Sequence, residues 1–311
     1  MSEHKFISVL GGNGFLGKYI VNILLNKGYY VKIISRSATL SKQNFTIYKP
    51  GQYKLVNCDI KNSSKLHSEL EGTNYIINLI GLLVSKKNNS FEEVHNLAVK
   101  NIVSICKKLN VKKLIHVSAI GAEKNSKSEY SRTKFLGEVA VKGFKNHCIL
   151  RPSIVYGDED NFINLFAKTL RFSPFLPLIG GGNNLFQPIW VQDAANIIVN
   201  VLENNIKGKI LEIGGEDILS FKEILEIILK ELELNRKLIT VPFGLSRRLA
   251  SLLEILPDPL ITRDQVEMLK KDNIISKKYD YRQTLKYLPM PFKKMIKKQL
   301  SFMKKNGGHL S

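Results

Sequence analysis

Residues Val9 to Lys18 read Val-Leu-Gly-Gly-Asn-Gly-Phe-Leu-Gly-Lys. An apolar run leads into this stretch and apolar residues at helical spacing follow it, so the pattern predicts a strand, a tight glycine turn and a helix. Glycines in such a turn let the backbone approach a pyrophosphate, which then lies on the helix N-terminus. The stretch therefore predicts a dinucleotide site, and its expected binding residues are Gly11, Gly14, Phe15, Leu16 and Gly17.

A second phosphate-binding motif has to be weighed against this interpretation. Gly12 to Lys18 also has the spacing of a P-loop, with Lys18 in the place of the P-loop lysine. The next residue is Tyr19, however, where a P-loop needs a Ser or Thr hydroxyl to bind magnesium. We therefore favour the dinucleotide interpretation.

The bulk properties of the chain limit its class. Its 311 residues are 44% hydrophobic, which is enough for one large domain or for one domain and a smaller lobe. Cys58, Cys106 and Cys148 are far apart, which indicates reduced thiols in a reducing compartment. No apolar stretch is long enough to span a bilayer, and a first strand beginning by Phe6 leaves no room for a targeting peptide. We therefore expect a cytoplasmic protein from a bacterium.

The formal net charge of +20 raises the question of an anionic partner. We attribute most of it to lysines spread over solvated faces. No basic stripe carries interleaved aromatic residues, so we expect no nucleic-acid partner. The six histidines form no cluster with ligand spacing and the cysteines are not paired, so we predict no metal site.

Short apolar runs alternate with amphipathic helices up to about residue 151. This pattern predicts an α/β fold, a Rossmann-type doubly wound parallel sheet with helices on both faces. Strands are predicted near 5–10, 30–35, 53–57, 75–80, 113–117 and 147–151. Helices are predicted near 15–27, 63–71, 91–109 and 128–145. We assign residues 1–151 to this nucleotide-binding domain and allow that residues 152–215 supply later strands of its sheet.

Residues 152–311 predict a smaller, mainly helical C-terminal lobe. The stretch Ser173 to Gly182 contains two prolines and three glycines, so we expect a loop there. Asp193 is expected to N-cap a helix that runs through residue 203. Two capping boxes are expected to begin further helices, at Ser220–Glu223 and Thr262–Gln265.

Three further residues are candidates for the cofactor site. Arg36 follows the second strand, where an acidic residue usually bonds the ribose of NAD and an arginine accommodates the extra phosphate of NADP. Arg36 thus predicts NADP(H), unless it is only a solvated arginine at a strand end. Asp59, after the third strand, either faces the adenine or caps a turn. Gly81, after the fourth strand, allows a ligand to approach closely.

The candidate chemistry lies on the fifth strand and the helix after it. Ser118 ends that strand, and twelve residues later Tyr130 and Lys134 open a helix. Residues four apart share one helical face, so the lysine charge favours ionisation of the phenol and makes it an acid or base near neutrality. Ser118 is placed to polarise a substrate carbonyl. The order of these motifs predicts a catalytic set of Ser118, Tyr130 and Lys134.

These residues resemble the short-chain dehydrogenase/reductase superfamily, in its extended or atypical branch. The resemblance covers nearly the whole chain and includes Arg151–Gly157 and Gln187–Asp193. In that superfamily the first segment lines the nicotinamide and the second borders the substrate lobe. The resemblance implies that Pro152 belongs to the cofactor site.

The resemblance narrows on three segments. His116–Ala122 lacks the second serine or threonine usual in sugar-nucleotide epimerases, and Gly157–Phe162 and Thr262–Glu267 are unusual in those enzymes. Together the segments resemble the NADPH-binding accessory subunit of respiratory complex I and its bacterial relatives, a family that also includes proteins linked to ubiquinone synthesis. The resemblance implies complex I subunits as partners and a role in structure more than in turnover, rather than a catalytic role for Tyr130. It also implies bound NADP(H), held by Gly11, Gly14, Gly17, Arg36, Tyr130 and Lys134.

Two functions remain open at this point. The first is an accessory or assembly subunit of NADH:ubiquinone oxidoreductase (complex I). The second is an NADP-dependent reductase, epimerase or dehydratase that acts on a small molecule or a quinone precursor. Both need the same nucleotide site, so the glycine motif does not separate them. The C-terminal segments that resemble the complex I subunit favour the first, and the intact Ser118, Tyr130 and Lys134 support the second.

The C-terminal segment predicts contact with a membrane. An apolar stripe recurs there at helical spacing, formed by Phe292, Met295, Ile296, Leu300 and Met303, and lysines largely occupy the other faces. Such a helix suits an anionic surface, and Leu245–Leu256 is a candidate for a second contact. The alternative is that both stripes pack on the core of the protein. We expect peripheral attachment at the cytoplasmic face of the inner membrane, beside complex I.

Overall fold

A computed structural model describes residues 6–39, 45, 49–255, 259 and 261–303. The chain divides into two units, and neither is one continuous segment. Unit 1 consists of Met1–Pro152, Gln192–Glu212 and Lys277–Tyr287. Unit 2 consists of Ser153–Val191, Ile213–Ser276 and Leu288–Ser311.

The strands are short runs rich in β-branched and leucine side chains, as buried strands require. In chain order, those within the described ranges are β1 (Phe6–Leu10), β2 (Tyr30–Ser35), β3 (Tyr53–Asn57), β4 (Tyr75–Asn78), β5 (Lys113–Val117), β6 (His147–Pro152), β7 (Val155–Tyr156), β8 (Phe175–Ile179), β9 (Leu185–Phe186), β10 (Ile189–Trp190), β11 (Lys209–Ile213), β12 (Leu219–Ser220) and β13 (Lys237–Val241).

Helices connect most of these strands. They are α1 (Phe15–Asn26), α2 (Ser63–Leu70), α3 (Ala98–Lys108), α4 (Glu129–Lys142), α5 (Ile163–Phe172), α6 (Val191–Glu203), α7 (Phe221–Glu231), α8 (Phe243–Leu253), α9 (Arg263–Met268) and α10 (Phe292–Leu300). A π-helix over Glu92–Leu97 runs directly into α3, and 3₁₀ turns cover Gly180–Gly182, Tyr281–Gln283 and Ser301–Met303.

Unit 1 contains a seven-stranded sheet in the order β11-β6-β5-β4-β1-β2-β3. Every neighbouring pair from β3 to β6 is parallel. The direction of winding reverses between β1 and β4, and in open parallel sheets the ligand binds beyond the carboxyl ends of the strands at this point. The predicted Rossmann-type sheet is confirmed, and the glycine turn after β1 lies at its switch point.

The core of unit 1 explains why these strands are apolar throughout. Leu10, Ile34, Ile76, Leu114 and Ile149, from five adjacent strands, are fully buried and pack in one cluster. The same cluster includes residues of α2, the π-helix and α3. The sheet is therefore an apolar platform that holds the strand ends in fixed positions.

The predicted elements of unit 1 agree with the structure within a few residues. The clearest difference is the helix predicted over 91–109, which divides into the π-helix and α3. β4 also ends at Asn78, two residues before the predicted end. The Asn78 side chain explains the early end, because its Oδ1 accepts a hydrogen bond from the Ile80 backbone N–H and turns the chain out of the ladder (3.1 Å).

Unit 2 combines five helices with three two-stranded pairings within the described residues. β7 and β10 are parallel, β9 and β12 are antiparallel, and β8 and β13 are parallel. The loop predicted over Ser173–Gly182 is wrong in its middle, which forms β8. Leu176 and Leu178 are both 3% exposed and bury one face of β8, while Pro177 is tolerated because the strand pairs on one side only.

The predicted helix starts are confirmed at two places and wrong at a third. Ser220–Glu223 and Thr262–Gln265 both form reciprocal capping boxes. Asp193 does not N-cap α6, because the helix already begins at Val191. Asp193 instead lies in the first turn, where its carboxylate accepts a hydrogen bond from the Tyr287 hydroxyl (2.7 Å).

The apolar stripe of α10 packs inside unit 2. Phe292, Met295, Ile296 and Leu300 are between 0 and 7% exposed, and the helix lies against α7. The prediction that this stripe contacts a membrane is therefore wrong, because core packing already uses the apolar face. The lysines from Lys293 to Lys298 are exposed, whereas Lys304 lies outside the described residues.

The second predicted contact segment differs from α10. Leu245, Leu249 and Leu252 of α8 are 51%, 47% and 66% exposed. Leu256, at the end of the predicted segment, lies outside the described residues. Within the described ranges, no helix is both long enough and apolar enough to cross a membrane.

Candidate functional site

The glycine turn after β1 is built from close backbone contacts. Gly11 has a φ of +81°, and its N–H donates to the Ile34 carbonyl oxygen of β2 (2.8 Å). A Cβ atom on Gly17 would lie 2.3 Å from the Gly11 carbonyl oxygen and 2.7 Å from the Gly12 Cα. Only glycine fits at position 17, because both neighbours are backbone. The turn thus holds the start of α1 tightly against the end of β1.

The N-terminus of α1 suits an anion. Gly14 is the N-cap residue and provides no side chain to cap the first turn. The first N–H groups of a helix lack intrahelical partners and carry the positive end of the helix dipole. Phe15 and Leu16, which open the helix, are half-buried. This cradle fits the pyrophosphate that the sequence predicted.

Arg36 directly follows β2, the neighbour of β1. It is exposed, and among the described residues no carboxylate pairs with its guanidinium. The Ser35 hydroxyl beside it is buried and has no hydrogen-bond partner within the described part of the chain. Asp59 is engaged locally, since its Oδ1 accepts from the Lys61 N–H (2.9 Å) and so caps a turn. Arg36 is the residue of this group that is available to a ligand phosphate.

Lys134 is a buried cation on α4. Its side chain is held where Nζ donates to the Val117 carbonyl oxygen at the end of β5 (3.2 Å). A Cβ atom on Gly81 would lie 2.9 Å from the same Nζ, so the glycine leaves room for the ammonium. Burial lowers the pKa of Lys134 to about 8, and Glu138 only partly opposes this shift. The ammonium therefore favours a ligand that supplies hydrogen-bond acceptors.

Tyr130 lies one helical turn before Lys134. The Lys134 Nζ is 5.9 Å from the centroid of the Tyr130 ring. The ring is held edge-on by two others, those of Phe91 at 5.7 Å and His95 at 5.4 Å. These contacts fix the plane of the phenol. The predicted pair of Tyr130 and Lys134 is thus brought together on one face of α4.

His95, on the π-helix, connects this pair to the loop after β4. Its Nε2 accepts the Leu82 backbone N–H (2.9 Å), so the proton of the neutral ring is on Nδ1 and is donated to Thr133 Oγ1 (3.1 Å). Burial, with the charge of Lys134, lowers the pKa of His95 to about 2. A Cβ atom on Gly137 would lie 2.2 Å from the His95 carbonyl oxygen, so this glycine allows α4 to pack closely on the π-helix.

His116 is a second buried histidine beside Lys134. Asn78 Oδ1 accepts from the Ile80 N–H, so its amide nitrogen donates to His116 Nδ1 (3.0 Å). The ring proton is then on Nε2, which is buried and has no partner within the described residues. Burial, followed by the charge of Lys134, lowers the pKa of His116 to about 3.

Ser118 completes the strand-end group. It directly follows β5, and its N–H still donates to the Leu150 carbonyl oxygen of β6 (2.7 Å), so its position two residues after His116 puts both side chains on the same face of the sheet. It is 3% exposed, and its hydroxyl has no hydrogen-bond partner in the described chain. Pro152, at the end of β6, accepts the Ile120 N–H through its carbonyl oxygen (3.1 Å) and holds the loop after Ser118.

Sequence reasoning did not assign roles to His95, His116 or Thr133. A signal was available for His116, because residues two apart along an extended chain point to the same face, and His116 is two residues before Ser118. His95 had no such signal, since the π-helix changes the helical register that the sequence pattern predicted. Within the described ranges, no group of three or more His, Cys, Asp or Glu residues is arranged to hold a metal ion.

A buried ion network joins α4 to β6 and β11. Arg151 on β6 makes two hydrogen bonds to Glu138 of α4 (2.8 and 2.7 Å) and one to Glu212 of β11 (3.3 Å). Its guanidinium carbon also lies 5.3 Å from the ring centroid of Tyr279. Tyr130, Lys134 and Glu138 recur every four residues, so this network fixes the helix face that carries the site.

The model of the NAD dependent epimerase/dehydratase family matches residues 7–214, which is more than half of the chain. This chain belongs to that family. The match begins in β1 and ends just after β11, so it covers every strand of the large sheet and all of the predicted site residues.

Named relatives carry the comparison further. The alpha subcomplex subunit 9 of mitochondrial NADH dehydrogenase [ubiquinone] 1 is 32% identical in Dictyostelium discoideum, over 71% of this chain and 62% of that protein. The Arabidopsis thaliana subunit of the same name is 30% identical, over 86% and 70%. The mitochondrial 40 kDa subunit of NADH-ubiquinone oxidoreductase from Neurospora crassa is 28% identical, over 86% and 71%. The chain thus spans less than two thirds of the Dictyostelium relative.

Solved structures of the family show the same fold at lower identity. dTDP-glucose 4,6-dehydratase from Bacillus anthracis in complex with NAD has a TM-score of 0.73 and 19% identity, with 97% of both chains covered. UDP-glucose 4-epimerase from Thermotoga maritima with UDP-glucose has a TM-score of 0.74 and 16% identity, with 96% of this chain and 98% of that chain covered. These likenesses establish the fold of this family member.

Proposed function

We propose that this chain is an NADP(H)-binding accessory or assembly subunit of complex I. The observation that carries the proposal is the identity of 28–32% to proteins named as complex I subunits, from a slime mould, a plant and a fungus. In the Arabidopsis relative the similarity extends over 86% of this chain, well beyond the part that the family model matches. The proposal therefore draws on both units of the chain.

The site geometry supports NADP(H) as the bound molecule. Gly11, Gly14 and Gly17 would cradle the pyrophosphate, and Arg36 would pair with the additional phosphate that distinguishes NADP(H) from NAD(H). Lys134 would donate to ribose hydroxyls, because its buried ammonium needs acceptors. When bound, the nucleotide supplies hydride chemistry.

The Arg36 assignment can be tested by measuring affinity for both nucleotides. A charge-assisted hydrogen bond contributes roughly 1.5–3 kcal/mol, so Arg36→Ala should weaken NADPH binding by about tenfold or more and leave NADH binding nearly unchanged. Arg36→Lys keeps the charge but loses the planar guanidinium fork, so its affinity for NADPH should lie between those of the wild type and of Arg36→Ala. The matched control is Arg132→Ala, because the guanidinium of Arg132 already donates to two loop carbonyl oxygens. Equal affinity of the wild type for NADPH and NADH would contradict the assignment.

The complex I assignment requires the native host. A tagged chain should co-purify from mild detergent extracts of the membrane with subunits of NADH:ubiquinone oxidoreductase, and should migrate with that activity on native gels. We further propose a peripheral position at the cytoplasmic face of a bacterial inner membrane. A tagged chain found only in fractions without these subunits would refute the partner assignment.

The second candidate is a reductase, epimerase or dehydratase, and the retained Ser118, Tyr130 and Lys134 favour it. In this role, Ser118 would polarise a carbonyl and Tyr130 would transfer a proton. Rapid turnover of a small carbonyl substrate with NADPH, abolished in Tyr130→Phe, would establish this function. Absence of turnover together with co-purification would establish the first.

A further inference from the structure

The α8 helix presents an unusual face. Leu245, Leu249 and Leu252 recur at spacings of four and three residues, so they form one stripe, and each is about half exposed or more. Ile255, just after the helix, is 82% exposed. Ser246 and Ala250, about a third of a turn round the helix from this stripe, pack into unit 2 and are 4% and 0% exposed. The open stripe is therefore a second apolar face, and unit 2 does not bury it.

The elements before α8 add exposed apolar side chains. Phe175 of β8 and Ile239 of β13 are 51% and 47% exposed, on the face opposite to the buried Leu176 and Leu178. Phe172, at the end of α5, is 81% exposed. Isolated exposed apolar residues are ordinary, but their concentration on successive elements of one unit indicates an interaction surface.

The charges in these segments have one sign. Residues 234–253 contain Arg236, Lys237, Arg247 and Arg248 and no acidic residue, and residues 161–179 contain Lys168 and Arg171 and no acidic residue. The first acidic residue after α8, Glu254, is paired with Arg263 (2.7 Å). The exposed lysines of α10 belong to the same unit. These segments combine exposed apolar side chains with basic residues and contain no acidic residue. They therefore complement a surface that is negatively charged outside and has an apolar layer below the charges.

We propose that the α8 face, defined as Leu245, Arg248, Leu249, Leu252 and Ile255, docks on the surface of an anionic phospholipid bilayer. The leucines enter the boundary between headgroups and acyl chains, and Arg248, beside the stripe, pairs with a lipid phosphate. An amphipathic helix with basic residues beside an apolar stripe lies in the plane of the interface and does not cross it. The proposal rests on the peripheral location proposed above, and it names the contacting surface.

A bilayer fits the α8 face better than a protein partner does. The stripe stands on the outside of a helix, and a fluid lipid surface accepts such a face without a complementary groove. The excess of basic residues matches the anionic leaflet of a membrane, where each Lys or Arg near the surface contributes about fivefold in affinity. The buried stripe of α10 is not available for this contact, so α8 takes the role that the sequence suggested for the tail.

The test is sedimentation of the purified full chain with vesicles. Wild type should bind vesicles of phosphatidylcholine with 30% phosphatidylglycerol at low salt, and should bind at least tenfold more weakly to pure phosphatidylcholine or in high salt. Leu249→Glu should reduce binding at least tenfold, whereas Leu288→Glu, a change at another leucine that is 89% exposed, should not. Both leucines are exposed, so thermal unfolding should show that the variants remain folded.

A second pair of variants tests the charges. Arg248→Gln, beside the leucine stripe, should lower affinity by about fivefold. Lys108→Gln, at an exposed lysine at the end of α3, should have little effect. Failure of the wild type to bind anionic vesicles, or equal loss in the matched controls, would overturn the proposal.

The outcome is separable from that of the complex I assignment, because vesicle binding needs no other subunit. If the wild type ignores vesicles and Leu249→Glu instead abolishes co-purification with complex I, the α8 face is a protein interface and the membrane proposal fails. If the wild type binds vesicles through α8 but co-purifies with no complex I subunit, the membrane contact holds and the proposed function fails.

Discussion

Lys134 is a buried cation whose charge disfavours the folded protein, and we propose that a bound nucleotide offsets this cost. Its ammonium is buried, and its pKa falls to about 8 because burial disfavours the charged form. Glu138 compensates only partly, since Arg151 already binds both oxygens of that carboxylate. The charge therefore remains poorly balanced until a ligand provides acceptors. Two neutral histidines beside it avoid further repulsion.

Replacing this charge should stabilise the empty protein and weaken ligand binding. We expect Lys134→Met to raise the free energy of unfolding without nucleotide by on the order of 1–3 kcal/mol, because a buried charge is replaced by an apolar chain of similar length. The same change should reduce the increase in Tm produced by saturating NADPH. Lys142→Met, at the exposed end of the same helix, is the control. A variant less stable than wild type without nucleotide would contradict this account.

The two buried histidines should make the protein sensitive to acid. Their pKa values in the folded state, about 2 for His95 and about 3 for His116, lie below the ordinary value of 6.5. The unfolded chain therefore binds more protons below pH 6.5, so stability is complete above that pH and is lost as the pH falls towards the folded-state values. Each histidine contributes a slope of up to about 1.4 kcal/mol per pH unit.

Urea unfolding between pH 7.5 and 5 measures this slope. His95→Gln keeps a polar side chain at this position. It should lower the slope of the unfolding free energy against pH by the contribution of about one proton. An unchanged slope in His95→Gln would show that the histidine does not remain neutral in the folded protein.

At the scale of elements, the sequence predicted the strands and helices whose positions follow from the local hydrophobic pattern. The strands β1 to β6 and their helices were predictable, because a buried parallel strand is a short apolar run and an amphipathic helix repeats every 3.6 residues. β8 was missed because two prolines and three glycines outweighed the alternation of Leu176 and Leu178. The π-helix was missed because the apolar pattern of residues 91–109 is the same as that of a continuous α-helix.

The site divides in the same way. The arrangement of Gly11, Gly17, Tyr130 and Lys134 was predictable, because it follows from spacing along one turn or one helix, and their roles toward a nucleotide stay predictions. The neutral states of His95 and His116 were not, since they depend on which backbone and amide groups the fold places against each ring nitrogen. The burial of the two amphipathic stripes could not be predicted either. The sequence does not show that the stripe of α10 is covered by the rest of unit 2 and that the stripe of α8 is exposed.

The junction of β1 and α1 carries a prediction at this scale. Gly17→Ala improves the intrinsic helix propensity by up to about 1 kcal/mol, yet it should destabilise the protein by about 2 kcal/mol or more and abolish NADPH binding. The new Cβ would meet the Gly11 carbonyl oxygen and the Gly12 backbone, so α1 must move away from the turn. Gly244→Ala in α8 has open space around it and should be neutral or slightly stabilising. Thermal unfolding with and without NADPH distinguishes the two.

At the scale of the whole molecule, the fold of unit 1 depends on residues far apart in the chain. β11 joins the sheet beside β6, and the backbone N–H of Glu212 donates to the Tyr279 carbonyl oxygen (2.6 Å). Arg151 binds carboxylates from both α4 and β11. The ion network therefore fastens three separate segments of the sequence into one unit.

Removing the centre of this network should be far more damaging than removing one end. Arg151→Met leaves the carboxylates of Glu138 and Glu212 buried without their cation, and we expect a loss of about 3–5 kcal/mol. Glu212→Gln keeps the arginine paired with Glu138 and should cost about 1 kcal/mol. Chemical denaturation of both variants measures the difference. Equal losses would contradict this account, because removal of the central cation would then cost no more than removal of one carboxylate.

The late arrival of β11 has a consequence for biosynthesis. A ribosome delivers β6 and α4 together, so Arg151 meets Glu138 early, but Lys209–Ile213 follows only after α5 and α6 have been translated. Until then the nascent sheet ends at β6 with an unpaired edge, which is open to strands from other chains. Translation pauses before residue 209 would prolong this exposure, and chaperones that shield nascent edges would be needed most in that interval.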